Sequence, residues 1–236
     1  MLAAQLEITR RDDVDADLNL TFAQGTGMHW VMQNEVLPVL GKVLVGKWQC
    51  KVCGEVYGGL DTEDGNIPMP DSCTMCEELG ESPIFDGDFR FEFMEQEFIN
   101  VEYQFTGHND GFLRLPEADG DGVFELKSCS AYKAKQIKDV PDMGHVAQAQ
   151  SYMWLTNTRW ALLLYWDKGT FRGPLTEHFV ERDEEAIEEI KSMLRSVWEG
   201  IETGELPDRI CTSVDCNRAE ECPVAKPCFE YELRVK

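Results

Sequence analysis

Positive charge is scarce in this 236-residue sequence, which has 22 lysines and arginines against 44 acidic residues and a formal net charge of -22. Such a charge repels nucleic acid and anionic membranes at long range. It therefore argues against a protein that coats DNA. It argues less strongly against an enzyme that needs only a local acidic pocket filled by metal ions.

Long apolar runs are also missing from the sequence. The start, M-L-A-A-Q-L-E-I-T-R-R-D-D-V-D, has no apolar signal core, and no later run approaches the length of a membrane span. We therefore expect no membrane partner and a soluble protein of the cytoplasm, or of the host cytoplasm if the chain is viral. Nine cysteines in that reducing compartment indicate metal ligands, because structural disulfides are rare there.

Four of the cysteines have the spacing of a zinc ribbon. Cys50 and Cys53 form one C-x2-C pair, and Cys73 and Cys76 form another after a spacer rich in Gly, Asp and Pro. In such ribbons each pair makes a tight knuckle around one tetrahedral ion, and four thiolate ligands indicate structural zinc. Four unrelated buried thiols are the alternative. We place the ribbon at residues 47–83, inserted between the first helix and the sheet.

Four further cysteines lie near the C-terminal end in C-x4-C-x5-C-x5-C spacing: Cys211, Cys216, Cys222 and Cys228. Thiolates hold both zinc and iron–sulfur clusters, so this tail is predicted to bind a second zinc ion or an iron–sulfur cluster. The spacing alone does not choose between them. The ninth cysteine, Cys129, is predicted to be a small buried core residue.

A hairpin is predicted at residues 107–127, G-H-N-D-G-F-L-R-L-P-E-A-D-G-D-G-V-F-E-L-K, because its Asp-Gly repeat is a turn sequence between two strand-like runs. Side chains two apart on a strand share a face, so Glu125 and Lys127 project together. Closing the hairpin brings Asp110 close to Glu125. The sequence therefore predicts that two carboxylates and a lysine converge.

This convergence suits a hard divalent cation. Magnesium prefers oxygen ligands and keeps several waters, so two carboxylates and a backbone carbonyl would form an open site. Such an ion activates water and offsets charge on a phosphate. Lys127 would then orient or deprotonate the attacking water, or stabilise the pentavalent phosphate. An exposed hairpin with a solvated salt bridge is an equal alternative.

The other predicted elements give an α/β order. The first helix, at residues 25–37, has Thr26 as its cap and His29 in its first turn, where a lone histidine is more often a packing residue than a ligand. A helix at residues 142–155 is capped by Asp142 and carries Gln148 and Tyr152 on one face. The remaining predicted elements are strands at residues 89–93, 101–106, 160–166 and 175–180, a basic loop at 133–138, and an amphipathic helix at 184–201. The basic loop would meet a phosphate backbone or remain solvated.

Together these motifs resemble the RecB-type nucleases of the PD-(D/E)XK superfamily, which include the CRISPR-adaptation nucleases and many phage exonucleases. The resemblance spans residues 25–166 and consists of four motifs in order. They are G-x-x-x-H at 25–29, G-H-N-D-G at 107–111, E-L-K at 125–127 and Q-A-Q-S-Y at 148–152. The cysteines after the last helix resemble the cluster, of the 4Fe–4S type, that many members carry.

The resemblance implies a restriction-endonuclease-like core with a central mixed sheet flanked by helices. It also implies that His29, Asp110, Glu125 and the Leu126 carbonyl bind magnesium or manganese. Lys127 would be catalytic, while Gln148 and Tyr152 would hold the DNA or the geometry of the site. The corresponding domains are residues 1–46 with the first helix, the ribbon at 47–83, the nuclease core at 84–206 and the cysteine-rich tail at 207–236.

The implied function is a DNA exonuclease that hydrolyses phosphodiester bonds in recombination, repair or phage DNA processing. An endonuclease of the same superfamily is the alternative within enzymes. A third alternative is a non-catalytic module, stabilised by metal, that docks onto a replication or recombination partner protein. Retention of Asp110, Glu125 and Lys127 together favours an enzyme.

Overall fold

The computed structural model describes residues 16–80, 90–170, 175–204, 209–220, 222 and 224–235 of the chain. Residues 22–194 make one compact unit, and residues 1–21 with 195–236 make a second. The predicted domain boundaries near residues 83 and 206 fall outside the described residues, so the four-domain division stays a prediction. No helix in the described part of the chain is both long enough and apolar enough to cross a membrane.

A mixed α/β fold with a central, mostly antiparallel sheet forms the larger unit, which confirms the predicted fold class. The sheet has the strand order β10-β9-β8-β7-β1-β2, with β3 and β4 also paired to β1. Among the strands that the structure describes, only β8 and β9 run parallel. Strands β5 and β6 form a separate two-stranded sheet. The strands are β1 Leu44–Cys50, β2 Val56–Gly58, β3 Ile67–Pro68, β4 Phe91–Met94, β5 Gln96–Asn100, β6 Phe105–Asn109, β7 Gly111–Arg114, β8 Asp121–Cys129, β9 Trp160–Asp167 and β10 Leu175–Glu181.

Helices precede, follow and interrupt these strands. The first, α1, runs from Ala16 to Val31 and continues as a π-helical turn over Met32–Val36. The second unit holds the start of α1, up to Thr21, and the chain from Arg195 onward, where the short C-terminal helices lie. In chain order the remaining helices are α2 Thr74–Glu78, α3 Ala131–Gln136, α4 Met143–Thr156, α5 Glu184–Thr203, α6 Asn217–Glu220 and α7 Ala225–Val235.

The central sheet buries both of its faces because apolar residues occupy alternate and consecutive positions of its inner strands. Phe124 and Leu126 of β8 belong to one core cluster, while Val123 and Cys129 belong to the cluster on the other side. Helix α4 packs on β8 and β9 through this second cluster. The predicted role of Cys129 as a buried core residue is confirmed, since it is 8% exposed.

The predicted hairpin and several of the elements that follow it agree with the sequence pattern. β7 and β8 pair antiparallel across the Asp-Gly repeat, from Gly111 opposite Phe124 to Arg114 opposite Asp121. Asp142 caps α4 as predicted, because its side chain accepts a hydrogen bond from the Gly144 N–H. Strands β9 and β10 and helix α5 occupy their predicted segments.

Three local predictions were wrong. Thr26 does not cap a helix: it lies inside α1 and its hydroxyl donates to the Phe22 carbonyl, since the helix begins well before the apolar pattern does. Residues 101–104 form a turn between β5 and β6 rather than the start of a strand. Most of the basic loop at 133–138 is helical, as the end of α3, whose N-cap Ser130 accepts from the Lys133 N–H. The predicted strand start at Phe89 lies outside the described residues.

Candidate functional site

Asp110 lies between β6 and β7, and three groups fix its position. Its Oδ1 is 3.0 Å from Nδ1 of His29, and its Oδ2 accepts a 2.7 Å hydrogen bond from the backbone N–H of Leu126. The Asp110 carbonyl accepts from Nε2 of Gln33 at 2.8 Å. Residues from α1, the π-helical turn and β8 therefore hold one carboxylate.

Glu125 lies in the middle of β8 and is only 1% exposed. Its Oε2 accepts a 2.7 Å hydrogen bond from the Lys127 ammonium, whereas its Oε1 is buried without a partner in the described part of the chain. Burial and the Asp110 carboxylate raise the pKa of Glu125 to about 7, against the opposing effect of Lys127. Burial on this scale excludes the exposed, solvated salt bridge, and a buried polar oxygen without a partner calls for an explanation.

His29 faces Asp110 from the last turn of α1. The hydrogen bond to Asp110 raises the pKa of His29 despite its partial burial. The general expectation that a lone histidine is a packing residue does not describe this contact, because the His29 ring pairs with a carboxylate 81 positions away in the chain.

Glu95, between β4 and β5, is a neighbour that the sequence did not indicate. One ligand atom from each of His29, Glu95 and Asp110 lies within 4.8 Å of the others. Gln33 contacts both Glu95 and Asp110, because its Nε2 donates to Oε1 of Glu95 at 3.2 Å as well as to the Asp110 carbonyl. Glu125 does not belong to this group of three in the described chain. The sequence pattern gave no reason to distinguish Glu95 from the neighbouring acidic residues Glu92 and Glu97.

Gln148 and Tyr152 lie on α4, as predicted, with the Gln148 amide donating to the Tyr152 hydroxyl at 2.9 Å. Burial raises the pKa of Tyr152, and the charges of Glu125, Lys127 and Asp110 act on it. Gly107 of β6 lies beneath the ring: a Cβ atom there would be 2.4 Å from Cε1 of Tyr152. The glycine of the G-H-N-D-G motif therefore permits close contact between β6 and α4.

The four ribbon cysteines converge at one point. Their sulfur atoms lie within 4.8 Å of one another, with Cys50 and Cys76 separated by 3.7 Å and Cys53 and Cys73 by 3.5 Å. A tetrahedral zinc ion with Zn–S bonds of about 2.3 Å would hold its sulfur ligands at about 3.8 Å from one another. The predicted cluster of four cysteines is thus present. The predicted end of the ribbon, at Pro83, lies outside the described residues.

Two thiols of this cluster have a pKa below the ordinary value of a cysteine. Burial raises the pKa of Cys50, but backbone N–H groups of Cys53 and Val52 and the Arg90 guanidinium outweigh it and bring the pKa to about 6. The Tyr57 hydroxyl donates to the Cys73 sulfur at 3.2 Å, and the net pKa of Cys73 is also lowered. Deprotonated thiols are the form that binds metal.

Arg90 is a second residue that the sequence did not indicate. Its Nε and Nη2 are buried without a hydrogen-bond partner in the described chain, and the Cys50 and Cys76 thiols raise the pKa of its guanidinium. A metal site with four thiolates and one zinc ion carries net negative charge, which a nearby cation offsets.

The tail cysteines belong to the smaller of the two compact units, and the ribbon cysteines belong to the larger one. Cys211 and Cys216 lie close enough to affect each other, and the Ala219 N–H lowers the pKa of Cys216. The four tail cysteines do not form a group within ligand distance among the described residues. Cys228 is the fourth residue of α7, which begins at Ala225.

No protein-family model and no curated protein matches this sequence. Among solved structures, the chain is similar to an alkaline exonuclease (LHK-Exo) from Laribacter hongkongensis, with a TM-score of 0.41 and 19% identity over 48% of this chain and 59% of that one. It is also similar to the protein SSO0001, with a TM-score of 0.35 and 20% identity over 58% of this chain and 59% of that one. The chain therefore spans 59% of the length of each of these structures.

Proposed function

We propose that this chain is a metal-dependent deoxyribonuclease that hydrolyses phosphodiester bonds from DNA ends. One observation carries the proposal: the buried Glu125, with one unpartnered oxygen, lies beside Asp110 and is paired with Lys127. Such a cluster is costly to bury and is expected where it does chemistry. Its setting would be recombination, repair or phage DNA processing in the cytoplasm, or in host cytoplasm if the chain is viral.

The residues that would hold Mg²⁺ or Mn²⁺ are His29, Asp110, Glu125 and the Leu126 carbonyl, and we add Glu95 from its position beside His29 and Asp110. Carboxylate and carbonyl oxygens are the donors that these hard cations prefer. When bound, such a cation activates water and offsets the negative charge that develops on the phosphate.

Lys127 is the cation that this chain itself supplies to the reacting phosphate. Its ammonium is held 2.7 Å from Glu125 and its side chain is 20% exposed, so it can reach a substrate at the edge of the buried carboxylates. There the ammonium would orient the attacking water or stabilise the pentavalent phosphate, and its neutral amine form would be the one that takes a proton from the water. Gln148 and Tyr152, held together on α4, position the DNA or the walls of the site.

The two cysteine groups serve structure in this proposal. Cys50, Cys53, Cys73 and Cys76 would bind zinc, and Cys211, Cys216, Cys222 and Cys228 would bind a 4Fe–4S cluster or a second zinc ion. The predicted ribbon at 47–83, core at 84–206 and tail at 207–236 are retained as the domains. A recombination or replication protein is the proposed partner besides DNA.

Digestion of end-labelled linear DNA and of closed circular DNA, with Mg²⁺ or Mn²⁺, tests the proposed activity. We expect the wild type to degrade the linear substrate alone. Lys127→Ala should lower the rate by about 10²- to 10⁴-fold, the usual contribution of a positioned proton-transfer group. Lys51→Ala, which removes an exposed lysine in the turn after β1, is the matched control and should retain full activity.

The other results would change the proposal in specific ways. Nicking of the circular substrate would identify an endonuclease. Binding of DNA without its consumption under any divalent metal would favour the docking module. Equal degradation by the wild type and Lys127→Ala would mean that the site is wrong.

A further inference from the structure

A cavity of about 470 Å³ opens beside the carboxylate site. Its apolar wall is formed by Leu60, Met94, Phe98, Ile99 and Leu155, which come from the ribbon segment, β4, β5 and α4. Cavities that hold small molecules in proteins have volumes of roughly 300–1,000 Å³. This space is therefore large enough for one nucleotide-sized group.

Glu95 joins this cavity to the carboxylate site. It lines the cavity, and its carboxylate also lies within 4.8 Å of ligand atoms of His29 and Asp110. The cavity and the carboxylate group therefore share one residue, so a nucleotide whose phosphate lies at those carboxylates would have the cavity within the span of that residue. No other described residue belongs to both groups.

The charges of the lining select which part of a nucleotide enters. Asp61, Glu95 and Glu97 carry three negative charges, and Lys47, the one cationic residue in the lining, is paired to Asp61 at 3.3 Å. A phosphate would be repelled by this excess of negative charge. An uncharged base would not, and its flat apolar faces suit the aliphatic and aromatic wall.

The wall is fixed by hydrogen bonds that do not need a ligand. The buried Gln96 accepts from the Leu60 N–H at 2.9 Å and donates to Asn66 at 3.0 Å. Gly59, with φ of +111°, makes the turn that places Leu60 there. A preformed wall costs little ordering on binding.

We propose that this cavity receives the base of the terminal nucleotide of a DNA strand, separated from its complement, while its phosphate lies at the carboxylates. The proposal rests on the proposed nuclease function and names its substrate: an unpaired strand end. The contact is with the apolar faces of the base, so every base is accepted.

Affinity measurements in Ca²⁺, a hard cation that takes oxygen ligands, with the bound DNA checked for cleavage, separate this proposal from the catalytic one. The probes are single-stranded oligonucleotides with a fluorescent dye at one end, whose terminal nucleotide at the other end carries a base or is abasic, made in both polarities. Fluorescence anisotropy should show that removing the terminal base weakens binding about tenfold at one of the two ends, within the range measured for stacking of one base. The same oligonucleotides with Mn²⁺ give the rates of hydrolysis.

Leu60→Asp and Val101→Asp form the matched pair of variants. Both side chains are exposed, by 46% and 81%, but only Leu60 lines the cavity, so neither change removes core packing. In Leu60→Asp the base and abasic probes should bind equally, whereas Val101→Asp should retain the wild-type difference.

The outcomes are decisive for the cavity whatever the catalytic result. A base-dependent affinity that Leu60→Asp abolishes supports the proposal even if no DNA is hydrolysed. Equal affinity of the wild type for base and abasic ends in both polarities overturns it, even if Mn²⁺-dependent hydrolysis is observed. Equal loss of the difference in Leu60→Asp and Val101→Asp also overturns it, because the effect would then not come from the cavity.

Discussion

At the scale of single residues, the candidate site is built from side chains that are distant from one another in the sequence. Asp110 is bound to His29 and Leu126, and the Gln33 amide lies between Asp110 and Glu95. The charged motif residues were predictable because they interrupt strand patterns. Glu95 and Arg90 were not, because their positions depend on how β4 pairs with β1, which no local pattern encodes.

Glu95→Gln should weaken Mn²⁺ binding by about tenfold or more, since even loss of an outer partner of a metal ligand typically costs 10- to 100-fold. The reason is that the amide removes one negative charge from the group with His29 and Asp110. Isothermal titration of Mn²⁺ measures the change. Glu92→Gln, an exposed change on β4, is the control; equal affinities of the two variants would exclude Glu95 as a ligand.

Arg90→Met should lower the zinc affinity of the cysteine cluster by about tenfold. The guanidinium lies beside Cys50 and Cys76 and offsets thiolate charge there. Competition with a chromophoric chelator measures the affinity. Lys51→Met makes the same change of charge at an exposed position in the adjoining turn. If it weakens zinc binding as much as Arg90→Met, the effect is one of overall charge.

At the scale of elements, α4 illustrates how a cap positions functional residues. Asp142 accepts from the Gly144 N–H and from the Lys133 ammonium, and the helix that it begins carries Gln148 and Tyr152. Asx capping and apolar spacing made this helix predictable. By contrast, the turn at 101–104 was mistaken for a strand because Val101 and Tyr103 alternate with polar residues although Val101 is 81% exposed.

Asp142→Ala should lower the free energy of unfolding by about 1 kcal/mol at pH 7, the usual cost of losing an N-cap. Lys133 lowers the pKa of Asp142 in the folded chain. The pair therefore stabilises the fold above the pKa of an unfolded aspartate, about 3.9, and this contribution is lost as the pH falls through the lower folded pKa. Urea unfolding at pH 7 and at pH 3 should show a difference between wild type and variant that shrinks at pH 3.

Asp139→Ala provides the comparison for that experiment. Asp139 is an exposed carboxylate in the same connection between α3 and α4, and surface changes of this kind usually alter stability by less than about 0.5 kcal/mol. A loss in Asp139→Ala equal to that in Asp142→Ala would assign the effect to local charge and not to the cap.

At the scale of the whole molecule, the net charge of -22 would limit how the proposed nuclease holds DNA. We expect DNA affinity to fall only weakly with salt, with a slope of log affinity against log salt smaller in magnitude than about 3. Each phosphate neutralised by a basic residue contributes about 0.9 to that slope for duplex DNA. Anisotropy titrations between low and high salt in EDTA measure it, and a much steeper slope would reveal an extended basic surface.

The order of the elements was within reach of the sequence, because apolar runs and turn residues mark them, whereas the parallel pairing of β8 with β9 was not predicted. The sequence placed the cysteine region between the first helix and the sheet, and it did not indicate that one strand joins the two. β1 pairs with β7 at Leu44 and Val45 and continues to Cys50 of the cluster. Pairing between strands distant in sequence is decided by the whole core and not by local pattern.

That continuous strand has a consequence for how the gene can be altered. Because β1 belongs to the central sheet and also ends at a cysteine of the cluster, the segment at residues 47–83 cannot be exchanged as an independent unit. A graft from another protein would have to match the register of Lys47 to Cys50 against β4 as well as restore four thiols. Engineers seeking a minimal version of this chain should therefore retain β1 to its last residue and replace the cysteine pairs by packing residues, rather than excise the segment between them.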